Sequence, residues 1–584
     1  MRVTLIFLLL STVAIFANPD ITSQEIHDHI AFLAADSLKG RSPGTPQGRM
    51  AAEYIRNEFE SIGLQLPGEH GFQFFDIVTE LQPGEGNRLE FGDSSYTAGE
   101  HMLPLSFSAN DSLTAPVVFC GYGFDIRDSL TWNDYADVDV SDKWVLLLYG
   151  DPEPDDLNSV FARHADIRKK CIIARDHGAA GVLMTPGLKY DAEDELPDLL
   201  VRESHVTLDL PVVHLRRPVA NALLGDRAGV DSLEARLTRE RQPLSFALNT
   251  GLSAVTDLRR SRSRTQNIVA VLPGTDPELK DEFVILGAHY DHLGMGGPGS
   301  SSREPDTLAV HNGADDNASG VAALLELAEA AAAQSEPFSR SLLFIAFGAE
   351  EMGVLGSSYF AKNPLVDLDQ VSLMMNFDMI GRLDSSRGLT VYGTGTAADL
   401  ESQLKSLIAD RWTTHFNPEG LGPSDHAAFY AQDIPVLQFF TGTHDDYHTS
   451  RDDPEWLNIE GETEIVNMVY ELMQQAAGNT PKLVFQQAGP KSRPSGRGRL
   501  RVTLGFMPDH SAADVDGLRI QAVTPGRPAQ QAGLRNGDII TGMNGKPIHN
   551  IYEYMHRLSR CKPGQRVSVK VNRDGEERIF IVDL

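Results

Sequence analysis

Five short apolar runs stand out between residues 267 and 440. They are Asn267–Leu272, Phe283–Ala288, Leu342–Phe347, Ser372–Phe377 and Ile434–Phe440. Each lacks the polar alternation of a half-exposed strand, so each reads as a strand buried on both faces. Helical patterns fall between or after them, near Gly320–Ala333, Ala397–Ala409 and Glu462–Ala477. Such alternation predicts an α/β fold with a mostly parallel, doubly wound sheet. Ligands in such sheets lie beyond the C-terminal ends of the strands. Upstream, Ile30, Leu33, Ala34, Ala51, Ala52, Tyr54, Ile55 and Phe59 recur at i, i+3, i+4 spacing, which predicts helices within 23–64. Gly40-Arg41-Ser42-Pro43-Gly44-Thr45-Pro46 between them reads as a turn-rich loop.

The texture changes near residue 112. Ala115–Phe124, Lys143–Gly150, Gly181–Met184 and Leu210–Leu215 read as strands, with a helix near Phe161–His177. These form a separate small α/β unit, expected to span 112–247. Residues 486–499 are rich in Pro, Gly, Ser, Lys and Arg, the chemistry of a linker, which is placed at 481–496. From 497 to 584 short strands alternate, with one helix near Ile551–Arg560. The expected order is therefore a first core segment at 23–111, an insert at 112–247, a second core segment at 248–480, the linker and a last domain at 497–584.

Met1–Ala17 reads as a secretory signal. Arg2 precedes a mostly apolar Val3–Phe16, and Ala17 is small enough for cleavage. Export to a secreted or periplasmic location follows as an expectation, with no stable membrane span after the signal is removed. The 584-residue chain carries a formal net charge of −30, which argues against nucleic-acid binding. The charge is uneven, because residues 491–584 hold 16 Lys and Arg against 9 Asp and Glu. Cys120, Cys171 and Cys561 are too few and too scattered for a disulfide framework or a thiolate metal site. They read as buried free thiols.

Candidate chemistry gathers at the predicted strand ends. His289 and Asp291 close the second apolar run, and Asp315-Asp316-Asn317 precede a helix. Glu350-Glu351 follow the third run, Asp378 follows the fourth, and His448 comes after the fifth. Singly these are ordinary: a His beyond a strand, an Asp at a helix N-cap, a pair of solvated glutamates. Together on an α/β chain they suit a catalytic zinc site built from imidazoles and carboxylates. Either Asp315 or Asp316 is suitable by residue type.

The segments GAHYDHLG, NGADDNASG, FGAEEMGVLGS, NFDMIG and DYHTSRD resemble the co-catalytic di-zinc aminopeptidases, of the zinc exopeptidase fold. The resemblance implies two Zn2+ ions and removal of N-terminal residues from peptides through a metal-bridging water. It implies Asp316 as the bridging ligand, His289 and Asp378 at one ion, and Glu351 and His448 at the other. It implies Glu350 as general base, Tyr447 as oxyanion stabiliser and Asp291 as the acid that orients the His289 imidazole. It also implies a cis peptide at Asp316–Asn317. The 112–247 insert resembles a protease-associated domain. Arg501–Phe506, Pro528–Ile540 and Asn544-Gly545 resemble a PDZ domain. That resemblance implies that the backbone of Leu504, Gly505 and Phe506 receives the terminal carboxylate of a peptide ligand.

Three further readings are weighed. Ser424-Asp425-His426 contains the residue types of a serine triad, but contiguous residues cannot readily align one. His292 and His444 match no ligand position and read as surface residues or as supports of the ligands. The alternatives are a carboxypeptidase or glutaminyl cyclase-like enzyme on the same fold, or a PDZ binding protein with a vestigial metal site.

Overall fold

The structure is a computed structural model. It describes residues 20–489, except 128–130, 154–158, 200, 202–206, 298–299, 305, 386–387 and 410. It also describes residues 502–584, except 509–515, 524–525, 549–553, 556 and 559–560. The Met1–Ala17 signal therefore lies outside the described residues, as does the linker from 490 on. The chain divides into two compact units, one chiefly Met1–Phe75 with Arg264–Ser492, the other chiefly Asp76–Ser263 with Asp514–Leu584.

The first unit is built on an eight-stranded sheet. Its strands are β1 (Phe72–Pro83), β2 (Leu258–Leu272), β3 (Phe283–His289), β4 (Ser341–Phe347), β5 (Val371–Phe377), β6 (Leu389–Tyr392), β7 (Thr414–Asn417) and β8 (Val436–Phe440). They lie in the order β1-β2-β4-β3-β5-β8-β6-β7. The β4-β3-β5-β8 centre is parallel throughout. The β2/β4 and β6/β8 pairs are antiparallel. Every residue of β4 and β5 is buried, which fits their predominantly apolar sequence. Full burial of each Leu, Ile or Phe there contributes about 1.5–3 kcal/mol.

Helices cover the sheet: α1 (Ser23–Leu33), α2 (Pro46–Ser61), α3 (Gly320–Ala333), α4 (Leu355–Lys362), α5 (Leu400–Ile408), α6 (His426–Tyr430) and α7 (Ile459–Ala477). Their starts are written locally. Thr22, Thr45 and Asn458 each accept a backbone N–H in the first turn of α1, α2 and α7. α3 is apolar nearly all round because it is buried among α1, α2, α7 and the sheet. Residues 483–489, at the start of the expected linker, are docked. Leu483 packs on the core, and the Tyr430 hydroxyl donates to the carbonyls of Ala488 and Gly489.

Among the described residues, the second unit contains two large sheets with separate cores, besides a two-stranded pairing of Asp125–Arg127 with Thr131–Asn133. One has eight strands, with Trp144–Leu148, Gly181–Thr185 and Asp111–Cys120 parallel at its centre. Arg88–Phe91, Ser94–Thr97, Met102–Pro104 and Ser245–Thr256 also belong to it. The expected boundaries at 112 and 247 thus fall inside this sheet. Arg88–Glu90 pairs with Ser253–Val255, so both flanks of the insert close one sheet. Those flanks are half-exposed strands without the apolar runs that mark the centre. The other sheet is antiparallel and spans Phe506–Pro508, Leu518–Val523, Ile539–Met543, Arg566–Arg573 and Glu576–Asp583. The helix expected near 551–560 lies largely outside the described residues. Cys120, Cys171 and Cys561 are buried free thiols.

Candidate metal centre

The chain register brings the candidate residues to one rim. His289 ends β3 beside Phe347 of β4, and Phe377 of β5 pairs with Phe439 of β8. Glu350-Glu351, Asp378 and the 444–448 loop are therefore delivered at the C-terminal ends of adjacent parallel strands, where open sheets leave a crevice. Asp316 arrives from the turn before α3. The Asn317 side chain ties that turn to the end of β5: its amide donates to Phe377 O (2.9 Å), and its carbonyl accepts from Met379 N–H (3.2 Å) and Gly320 N–H (3.0 Å). The Asp316–Asn317 peptide is cis.

The two oxygens of Asp316 face different partners. Oδ1 lies 3.4 Å from His289 Nε2, which is itself 3.5 Å from Asp378 Oδ1. Oδ2 lies 3.2 Å from His448 Nε2, which is 3.2 Å from Glu351 Oε2. Ligands at about 2.0–2.1 Å around a tetrahedral ion stand about 3.3 Å apart. Both groups match that spacing. His289, Asp316 and Asp378 form one candidate ion-holding group; Asp316 and Glu351 form another, with His448 at the matching distance and His292 also within reach. Asp315, the other aspartate of the pair, turns away. Its Oδ1 accepts from Gly381 N–H (2.7 Å) and its Oδ2 lies 3.2 Å from His444 Nε2.

The electrostatics favour added positive charge. Burial draws the His289 and His448 imidazoles down, but the surrounding carboxylates more than reverse this and hold both well above the ordinary range. Burial raises the Glu350 carboxyl well above the glutamate range, with Glu351, Asp425 and Asp378 adding to it and His289 opposing. Burial likewise raises the Tyr447 hydroxyl, aided by Asp316, Glu351, Glu350 and Asp378. So many buried carboxylates in one place need cations to neutralise them. The donor set, the spacing and the charge all fit metal ions.

Some residues differ from expectation. His289 Nδ1 meets the backbone carbonyl of Asp291 at 3.2 Å, not its carboxylate. The Asp291 carboxylate instead accepts from Glu350 N–H (3.0 Å) and Glu351 N–H (3.3 Å), so it holds the glutamate turn. His292 and His444 are buried, not at the surface. His292 Nδ1 lies 2.8 Å from Glu351 Oε1. Tyr447 stacks on the His448 ring, with centroids 3.8 Å apart. Ser424, Asp425 and His426 are all buried, and Ser424 Oγ accepts from Asn376 Nδ2 at 2.8 Å.

Two supports were given no role from the sequence, although Asp452 closes the DYHTSRD segment. The Asp452 carboxylate accepts the backbone N–H groups of Asp315 and Asp316 at 3.0–3.2 Å. Arg41, from the loop between α1 and α2, is fully buried. Its guanidinium donates to the carbonyls of Tyr290 (2.6 Å), Leu33 (3.1 Å), Gly313 (2.7 Å), Asp316 (3.2 Å) and Asn312. Burial lowers its pKa to about 10, with Asp316, Asp291, Asp452 and Glu351 opposing, so it stays charged at neutral pH.

In the PDZ-like sheet, Leu504 is buried and its carbonyl accepts from Ala529 N–H (2.7 Å). Gly505 has φ 76°, and its N–H donates to Thr503 Oγ1 (3.0 Å). Phe506 pairs with Val523.

A mostly parallel α/β sheet with an imidazole–carboxylate rim at its C-terminal edge defines a zinc-exopeptidase-like fold. Comparison with known proteins gives the family. Residues 267–473 match the model of Peptidase family M28, and residues 499–584 match a PDZ domain. Leupeptin-inactivating enzyme 1 of Streptomyces exfoliatus is 31% identical over 225 residues, 38% of this chain and 44% of that protein. The uncharacterized protein YfbL of Escherichia coli is 30% identical over 252 residues, 36% of this chain and 70% of that protein. Aminopeptidase YwaD of Bacillus subtilis is 27% identical over 474 residues, 79% of this chain and 84% of that protein. The chain thus spans less than half the length of the leupeptin-inactivating enzyme. The chain belongs to peptidase family M28.

Proposed function

We propose that this protein is a zinc-dependent aminopeptidase acting on peptides with a free N-terminus. The observation that carries the reading is Asp316, whose two oxygens face two separate imidazole–carboxylate pairs. In this reading His289 and Asp378 would hold one zinc ion, Glu351 and His448 would hold the other, and Asp316 would serve both. Zinc at such sites polarises a scissile carbonyl and lowers the pKa of water from about 15.7 toward 7. Glu350, buried among carboxylates, takes the proton of the attacking water at its carboxylate and returns it to the leaving amine. Tyr447, held by its stack on His448, donates its hydroxyl to the developing oxyanion. Asp291 keeps Glu350 and Glu351 aimed inward through their backbone N–H groups.

The remaining assignments belong to the same proposal. The sheet around Trp144–Leu148 is a protease-associated domain, the C-terminal sheet binds a peptide through its 504–506 loop, and the apolar N-terminus directs export. The deciding test is a peptide library with free amines, N-acetylated controls and a chelated sample. Loss of cleavage on acetylation and on chelation supports the reading. Continued cleavage of acetylated peptides from the carboxyl end would replace it with a carboxypeptidase.

A further inference from the structure

The second candidate group contains one imidazole more than its ion needs. His448 Nε2 stands 3.2 Å from both Asp316 Oδ2 and Glu351 Oε2, the separation of ligands sharing a tetrahedral ion. His292 Nδ1 stands 3.8 Å from the same Asp316 oxygen and 2.8 Å from the other Glu351 oxygen, Oε1. The first distance is long for neighbouring ligands. The second is that of a hydrogen bond to a carboxylate. Its side chain has no solvent-exposed area, and Nε2 is also buried, with no hydrogen-bond partner among the described residues. A proton on Nε2 would be stranded there, whereas a proton on Nδ1 has Glu351 as its acceptor. The ring is also clamped. Gly313 has φ 58° and packs closely: a Cβ on it would meet Asp316 O first and would lie 2.5 Å from His292 Cδ2.

We propose, resting on the metal reading above, that His292 is a positioning residue: its Nδ1–H holds Glu351 Oε1, so that only Oε2 faces the ion shared with Asp316 and His448. A glutamate free to rotate could chelate with both oxygens or swing out of the site. Pinning one oxygen fixes both the number and the direction of ligand atoms. Groups that orient a ligand in this way typically account for about 10–100-fold in metal affinity. His289 has no such side-chain partner, since its Nδ1 meets the Asp291 backbone carbonyl. The two sites therefore depend on different supports, and loss of His292 weakens only one of them.

The test uses the full chain, stripped of metal and titrated with Zn2+ against a chromophoric chelator, with Co2+ absorption as a second readout. His292→Ala is expected to lose about 10–100-fold in affinity at one site and nothing at the other. His292→Asn is expected to restore affinity, because its amide nitrogen can reach the Nδ1 position and donate. Unchanged affinity in His292→Ala overturns the proposal. Equal loss in His292→Asn and His292→Ala also overturns it, since only a direct ligand would resist rescue by a donor. If the alanine variant does not fold, 15N-histidine spectra of the 113Cd-loaded wild type decide. Cadmium coupling at His292 Nδ1 refutes the proposal, and a slowly exchanging, uncoupled N–H supports it. A wild type that binds no metal would instead sink the aminopeptidase reading, and this proposal with it.

Discussion

Arg41 makes a demanding test, because nothing about its residue type or spacing links it to the metal rim. Its guanidinium reaches five backbone carbonyls, on the loop after β3, on the turn before α3 and at the end of α1. Replacement by methionine keeps the bulk and removes the donors and the charge. Hydrogen bonds from a charged donor each contribute about 1.5–3 kcal/mol, and a buried carbonyl left without a partner costs about 1–3 kcal/mol. Five such terms do not add, since the loops relax and share partners, and single-site losses above about 4–5 kcal/mol are rare. We expect about 4 kcal/mol. At roughly 2–4 °C per kcal/mol for a unit of this size, the melting temperature should fall by about 8–16 °C. Zinc affinity should fall as well, because the turn before α3 carries Asp316, and His289 immediately precedes Tyr290. Arg41→Lys keeps the charge but not the planar fork, so it should recover less than half of the loss. Calorimetry of the metal-free protein, followed by zinc titration, measures both effects. A melting temperature within about 2 °C of wild type, with unchanged affinity, would refute the clamp.

The other predictions follow from single groups. Glu350→Gln should lower kcat by about 10²–10⁴-fold while zinc binding stays at its wild-type value, as checked by steady-state kinetics and zinc titration. Tyr447→Phe should cost about 10²–10³-fold in kcat with little change in KM. Glu462 on α7 is fully buried, with both oxygens unpartnered among the described residues. Burial, then Asp315 and Glu326, hold its carboxyl well above the ordinary glutamate range. Its folded value exceeds the unfolded value of about 4.3, so its contribution is complete below that pH and is lost as pH rises through the folded value. Glu462→Gln has no proton to lose, so it should melt higher than wild type at pH 8, and the difference should vanish toward pH 4. A constant difference across that range would remove the buried carboxyl as its cause.

Much of this was legible in the order of residues. The apolar runs at 283–288, 342–347 and 372–377 are strands with those centres, because only strands buried on both faces tolerate such composition. His289, Asp316, Glu351, Asp378 and His448 were readable as candidates because imidazoles and carboxylates at strand ends serve no packing purpose. The limits of the inserted sheet were not readable. Arg88–Glu90 and Ser253–Val255 are half-exposed strands whose partnership spans some 160 residues of chain.

What the sequence determined by itself was therefore the kind of fold, the rim where chemistry gathers and the types of donor available there. What only the tertiary structure decided was orientation. It turned Asp316 toward both groups and Asp315 toward Gly381, and set the Asp291 carboxylate against the glutamate turn rather than the His289 ring. It also placed Arg41 and His292 beneath the ligands. Residue type announces which atoms can donate or accept. Which ones meet depends on angles and distances of a few ångströms between loops remote in the chain, and those exist only once the sheet has been assembled.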